Sequence, residues 1–143
     1  MITVKDIMTA NPVTVHPESS LEYATTAMRN VGCRQLPVVE GDELVGIITE
    51  RDIRLAITAP TSDMDLAHHQ ELNHYAVGEF MTANPKTVTP LASVADAAEM
   101  LRRLKIGALP VVENRQLVGI ITISDCLACL SDQLEEIPTL LLA

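Results

Sequence analysis

Leu44–Asp52 reads LVGIITERD, and Leu117–Asp125 reads LVGIITISD. In both, an unbroken apolar run ends in a threonine, and a carboxylate follows three residues later. A short continuous apolar run is the pattern of a strand covered on both faces. Thr-x-x-Asp after it opens a helix. Working outward, the likeness extends without a gap from Val4–Ile57 to Val77–Leu130, an offset of 73 positions with nearly half of the paired residues identical. Two further strings recur inside it: MTANP, from Met8 and from Met81, and LPVVE, from Leu36 and from Leu109. A repeat of this kind marks supersecondary units that bury their apolar faces against each other. Two copies also make two equivalent clefts, which is where a small ligand would sit.

Each copy predicts the same elements. A helix follows Pro17 or Pro90, with Ser19 or Ser20 and Ser93 as candidate caps. Its buried stripe is Leu21, Ala24, Met28 and Val31 in one copy and Val94, Ala97, Leu101 and Leu104 in the other, at helical spacing. Two strands follow, Leu36–Val39 and Leu44–Ile48, then Leu109–Val112 and Leu117–Ile121, with Gly41-Asp42 and Asn114-Arg115 as hairpin turns. A second helix starts near Arg51 and near Ser124. With a short strand at Val13–Val15 and at Thr87–Val88, the expected fold is α/β (α+β): β-α-β-β-α, twice. The expected boundaries are 1–58 for the first motif, 59–75 for a connector with a helical middle, 76–135 for the second motif and 136–143 for a tail that ends the last helix at Pro138.

Composition narrows the function. The only aromatics are Tyr23, Tyr75 and Phe80, and the net charge is −9, with five basic and eight acidic residues in 1–58 and again in 76–143. Nucleic-acid partners need clustered cations or aromatic stacking platforms, so none is expected. No apolar run reaches the roughly 18–20 residues that span a bilayer. The start, MITVKDIMTANP, is unlike a signal peptide, and three cysteines (Cys33, Cys126, Cys129) suit free thiols in a reducing compartment. A cytoplasmic protein is expected.

The Thr-x-x-Asp pair suits a nucleotide. A helix N-terminus presents N–H groups and the positive dipole end to a phosphate. The carboxylate can accept both hydroxyls of a ribose, and glycine allows close approach of backbone to ligand. The same spacing also fits a capping box serving helix stability alone. Its duplication beside an expected cleft favours binding.

The doubled pattern D/E-x-M-T-x-x-P, L-P-V-V-E and G-I-I-T-x-x-D resembles a tandem pair of CBS domains, a Bateman module, over residues 3–57 and 76–134. The resemblance implies two motifs related by a pseudo-two-fold axis. It also implies adenosine-containing ligands (AMP, ADP, ATP, S-adenosylmethionine or NAD-type molecules) in the two clefts, and pairing into homodimers. By position, Asp52 and Asp125 would hold ribose hydroxyls, and Thr49 and Thr122 would meet ribose or phosphate. Adenine would lie against Thr9, Val13 and Thr14, or Thr82, Lys86 and Thr87. Opposite would be Cys33, Arg34 and Gln35, or Ile106, Gly107 and Ala108. Which adenine wall faces which Asp stays open. The copies diverge at Arg34/Gly107, Arg51/Ser124, Glu50/Ile123 and Val13/Lys86. Arginine suits phosphate, so a site using Arg34 and Arg51 is expected to take the more phosphorylated ligand. The alternative is that these arginines pair on the surface with Glu50 or Asp52.

Other signals are weaker. Cys126-Leu-Ala-Cys129 falls inside a helix rather than at its start, and reads as buried small apolar residues rather than a redox or zinc site. His68, His69 and His74 lack a metal frame. No nucleophile–base pair and no Walker-type loop is present, so no catalytic residues, no metal and no redox cofactor are expected. The leading expectation is a regulatory sensor acting on a dimer or client protein. Its rivals are an interaction module with empty clefts, and a redox or metal protein.

Overall fold

The computed structural model describes residues 1–58 and 72–136. The expected helical middle of the connector, His68, His69 and the tail beyond Glu136 lie outside these residues. In chain order the elements are α1 (Val4–Ile7), β1 (Thr9–Ala10), α2 (Leu21–Val31), β2 (Gln35–Glu40), β3 (Glu43–Thr49) and α3 (Glu50–Thr58). After a 3₁₀ turn at Leu72–His74 come α4 (Val77–Phe80), β4 (Thr82–Ala83), α5 (Val94–Leu104), β5 (Ala108–Glu113), β6 (Gln116–Thr122) and α6 (Ile123–Glu135).

The local chemistry follows the repeat. Ser20 and Ser93 cap α2 and α5 by accepting hydrogen bonds from the Tyr23 and Asp96 amides, each at 3.0 Å. Ser19 instead accepts from the His16 amide. The β2–β3 and β5–β6 hairpins turn at Gly41 (φ +62°) and at Asn114 and Arg115 (φ +54° and +68°). Two successive residues at positive φ match the twist of the flanking strands. Helix α2 ends on Gly32 at φ +79°, whereas its counterpart on α5 is Lys105 at φ +56°, where a Cβ is strained.

Three expectations need correction. The short strands at Val13–Val15 and Thr87–Val88 are single parallel bridges, Val15 to Val38 and Val88 to Val111. Val31 and Leu104 are exposed (51% and 43%), because each sits in the last turn of its helix, past the core. And the repeat is not the packing unit.

The two MTANP strings are exchanged between lobes. Strand β1 pairs antiparallel with β6 (Thr9 with Ile120, Ala10 with Gly119), and β4 with β3 (Gly46 with Ala83, Ile47 with Thr82). Helix α1 follows its strand: the Val4 and Lys5 amides donate to the Ala92 and Pro90 carbonyls, and the Val94 amide to Ile2. Likewise the Val77 and Gly78 amides donate to Ser19 and Pro17, and Leu21 to Tyr75. Val77 therefore lies in the core with Leu21, Leu36 and Ile48, and Val4 in the other with Leu101, Leu109 and Ile121. The hairpins of the two lobes meet edge to edge at Glu43 and Gln116, where Leu44 and Leu117 donate to the Arg115 and Asp42 carbonyls. The sheet thus joins six strands in one mixed α+β body.

Gly46 and Gly119 make the exchange possible. A Cβ on Gly119 would lie 2.5 Å from the Met8 sulfur and 3.0 Å from the Thr9 carbonyl oxygen; one on Gly46 would meet Met81 and Thr82 at the same distances. These glycines are filled by protein, which corrects the reading that they admit a ligand.

Gly119→Ala and Gly46→Ala are each expected to destabilise by about 1–3 kcal/mol in denaturant unfolding. A double-mutant cycle should couple Met8→Ala with Gly119→Ala and leave it additive with Gly46→Ala. Lys105→Gly should stabilise by about 0.5–1 kcal/mol by relieving the positive φ.

Candidate functional site

The exchange sets the geometry of two clefts. Since Thr9 pairs with Ile120, the MTANP of the first repeat lies beside the end of β6, where Thr122 starts α6. The entry to β2 faces the same point. The resulting cleft, about 560 Å³, is lined by Thr9, Cys33, Arg34 and Gln35 opposite Thr122, Ser124 and Asp125. Its pseudo-symmetric counterpart, about 270 Å³, places Thr82, Lys86, Ile106, Gly107 and Ala108 opposite Gln35 and Thr49. Thr9 of the first repeat therefore lies opposite Thr122 and Asp125 of the second, and Thr82 of the second opposite Thr49 of the first.

Both Thr-x-x-Asp segments are formed capping boxes. The Thr49 amide donates to Asp52 Oδ2 (2.9 Å) and the Asp52 amide to Thr49 Oγ1 (3.0 Å). The same pair in the other repeat measures 2.9 and 3.1 Å. The amides of Glu50 and Ile123 donate to the carbonyls of Arg34 and Gly107 (2.8 and 3.1 Å). Of the first three amides of each helix, two are thus already engaged, leaving those of Arg51 and Ser124 toward a ligand. The helix ends offer less to a phosphate than the sequence suggested. Each half-buried carboxylate uses Oδ2 in the box and has Oδ1 clear of it.

The cations are divided between the clefts. Arg34 lines the larger one, its side chain 86% exposed and its Nε 3.9 Å from the Glu50 carboxylate. Glu50 also lies 3.7 Å from Arg54. Pairs this exposed contribute little, so Arg34 can exchange Glu50 for a ligand phosphate. Lys86 lines the smaller cleft. Arg51 sits exposed on the first turn of α3 and lines neither, so the structure does not bring Arg34 and Arg51 into one site. Val13, Thr14, Thr87 and Asp52 are likewise not among the residues lining the two clefts, and Val13 is 47% exposed. Ile47, Pro85 and Leu104 do line the smaller cleft, although the sequence did not single them out for it. Ile47 and Pro85 lie within the recurring strings. Leu104 was read as core, and its departure from the core is what places it at the cleft.

The cysteines are free and half-buried rather than fully buried. Burial pushes the Cys126 thiol up, with Asp125 and Cys129 adding to it, and burial also raises Cys33. A raised thiol is a poor nucleophile. No group of three or more His, Cys, Asp or Glu side chains among the described residues is placed to hold a metal. Among them also, no helix is long and apolar enough to cross a membrane.

The CBS domain model matches twice, at residues 4–59 and 77–132. A CBS domain-containing protein of Dictyostelium discoideum is 33% identical over 140 residues, covering 96% of this chain and 97% of that protein. The fold is similar to that of CBSX2 from Arabidopsis thaliana in a crystal structure in complex with AMP (30% identity, TM-score 0.75, covering 93% of this chain and 99% of that one). It is also similar to the CBS domain pair of protein MJ0100 in complex with 5-methylthioadenosine and S-adenosyl-L-methionine (28% identity, TM-score 0.76, 93% and 98%). With both motifs matched across most of its length, this chain belongs to the CBS domain family as a tandem CBS pair.

Proposed function

We propose that this CBS pair is a regulatory module that binds adenosine-containing ligands in its two inter-repeat clefts and performs no chemistry on them. One observation carries the reading: in both clefts a wall from one repeat faces the start of a capped helix of the other, Thr122 with Asp125 in the larger cleft and Thr49 in the smaller, an arrangement that can hold a base and a ribose together. The solved neighbours that hold AMP, 5-methylthioadenosine or S-adenosylmethionine support the same ligand class. Asp125 and, from its place beside Thr49, Asp52 accept ribose hydroxyls, with Thr122 and Thr49 toward the 5′ side. Thr9, Cys33 and Gln35 form one adenine wall, and Thr82, Ile106, Gly107 and Ala108 form the other. Arg34 and Ser124 contribute to anion recognition at the mouth of the larger cleft and Lys86 at that of the smaller.

The functional consequence is a population shift. A ligand spanning both repeats bears on the packing between the lobes, and it regulates only if it binds one arrangement better than another. Apart from the exchanged segments, the hairpins of the two lobes pair at Glu43 and Gln116, and such a difference is expressed at that seam. The readout is a homodimer or a client protein, in the cytoplasm.

In a thermal-shift panel, AMP, ADP, ATP or S-adenosylmethionine at 100 times its Kd should add about 2.7 kcal/mol, which is several degrees for a chain of this size. A flat response to all of them would favour empty clefts and a purely structural module. Asp52→Ala with Asp125→Ala should abolish binding. Because each carboxylate also caps a helix, the double variant should lose about 1 kcal/mol per cap and remain folded. Unfolding of the double variant together with silence of the parent in the panel would leave the carboxylates a capping role only.

A further inference from the structure

The two clefts share a wall. Gln35 and Gly107 each line both of them. They meet there, since a Cβ built on Gly107 would sit 3.6 Å from Gln35 Oε1, in ordinary contact. The repeat offset pairs Gln35 with Ala108 and Gly107 with Arg34, so the wall is one long amide from the first repeat against a bare backbone from the second. Nothing thicker than one side chain separates the clefts at this point. The Gly107 carbonyl accepts the first amide of α6, which places the wall against the helix end where Ser124 and Asp125 begin the larger cleft. Each cleft is lined by one cation, Arg34 or Lys86, and Arg34 is already shared with Glu50.

Resting on the ligand reading above, we infer that the clefts are negatively coupled for anionic ligands: a phosphate-bearing nucleotide in one weakens a second in the other across the Gln35–Gly107 wall. Uncharged adenosine binds the two clefts independently. The cause is Coulombic. Two dianions held in clefts that share a wall one side chain thick repel each other, most strongly at low salt where the Debye length is long, and a single cation per cleft does not neutralise a dianion. The module therefore responds to a charged nucleotide over a wider concentration range than two independent sites would, and the width depends on ionic strength.

The test is a thermodynamic cycle by titration calorimetry on the full chain, using AMP and adenosine as probes. Asp125→Ala and Asp52→Ala each disable one cleft, so each variant reports the other cleft's affinity with its neighbour empty. The product of those two single-cleft constants is compared with the product of the two step constants of the parent. For AMP at low salt the parent's product should fall short by about fivefold or more, the lower end of ordinary site-to-site coupling. The deficit should shrink as salt rises toward about 0.5 M, and it should vanish for adenosine. Equal products for AMP at low salt would overturn the coupling while leaving adenosine-ligand binding intact. A parent that takes up neither AMP nor adenosine would overturn the ligand reading itself, and the coupling with it.

Discussion

The contact on which the rest of this structure depends is a methionine packed against the face of a glycine in the other repeat. Met8 lies over Gly119 and Met81 over Gly46, so close that a single Cβ would strike the sulfur and crowd the carbonyl that follows it. That fit brings β1 alongside β6 and β4 alongside β3. It carries Val4 and Val77 into the opposite cores. Both clefts follow, because the threonine after each methionine is the residue that ends up facing the other repeat's Thr-x-x-Asp. Two of the strings most conspicuous in the repeat, MTANP and LVGIIT, are therefore two halves of one joint, made twice.

This explains why so small a chain can carry two clefts. Each lobe alone would lack a strand and a buried valine, so the lobes depend on each other for completion and not only for contact. Apart from the exchanged segments, the backbone seam is narrow, one paired position and two hydrogen bonds, with Gln35 against Gly107 as a further contact. A ligand lying across such a seam adds interactions where the protein itself makes few. That is where binding energy has most leverage on the relative placement of the lobes.

Under the proposed function, one pair of residues in each repeat serves two needs. Thr49 with Asp52, and Thr122 with Asp125, close their helix starts through reciprocal hydrogen bonds and hold the carboxylates in one orientation. A carboxylate fixed in this way is ready to receive a hydroxyl without further ordering. At each helix end two of the first three amides are occupied, so any discrimination between phosphates would fall to side chains that differ between the repeats. Arg34 and Lys86, which have no counterpart across the repeat, are where the two clefts part company.

Much of this was legible in the residues alone. The caps at Ser20 and Ser93, the hairpins, the helix starts and the cores around Leu36, Ile48, Leu109 and Ile121 follow from period, turn chemistry and apolar runs, which are local properties. Two copies, two clefts and the family likeness came from the repeat itself. Tertiary structure decided which wall faces which Asp, because sequence order pairs each MTANP with its own repeat and strand exchange pairs it with the other. It also separated Arg34 from Arg51, moved Leu104 from core to cleft, and turned Gly46 and Gly119 from ligand contacts into sockets for methionine. In each case the deciding quantity is a distance between residues far apart in the chain, which no local pattern encodes.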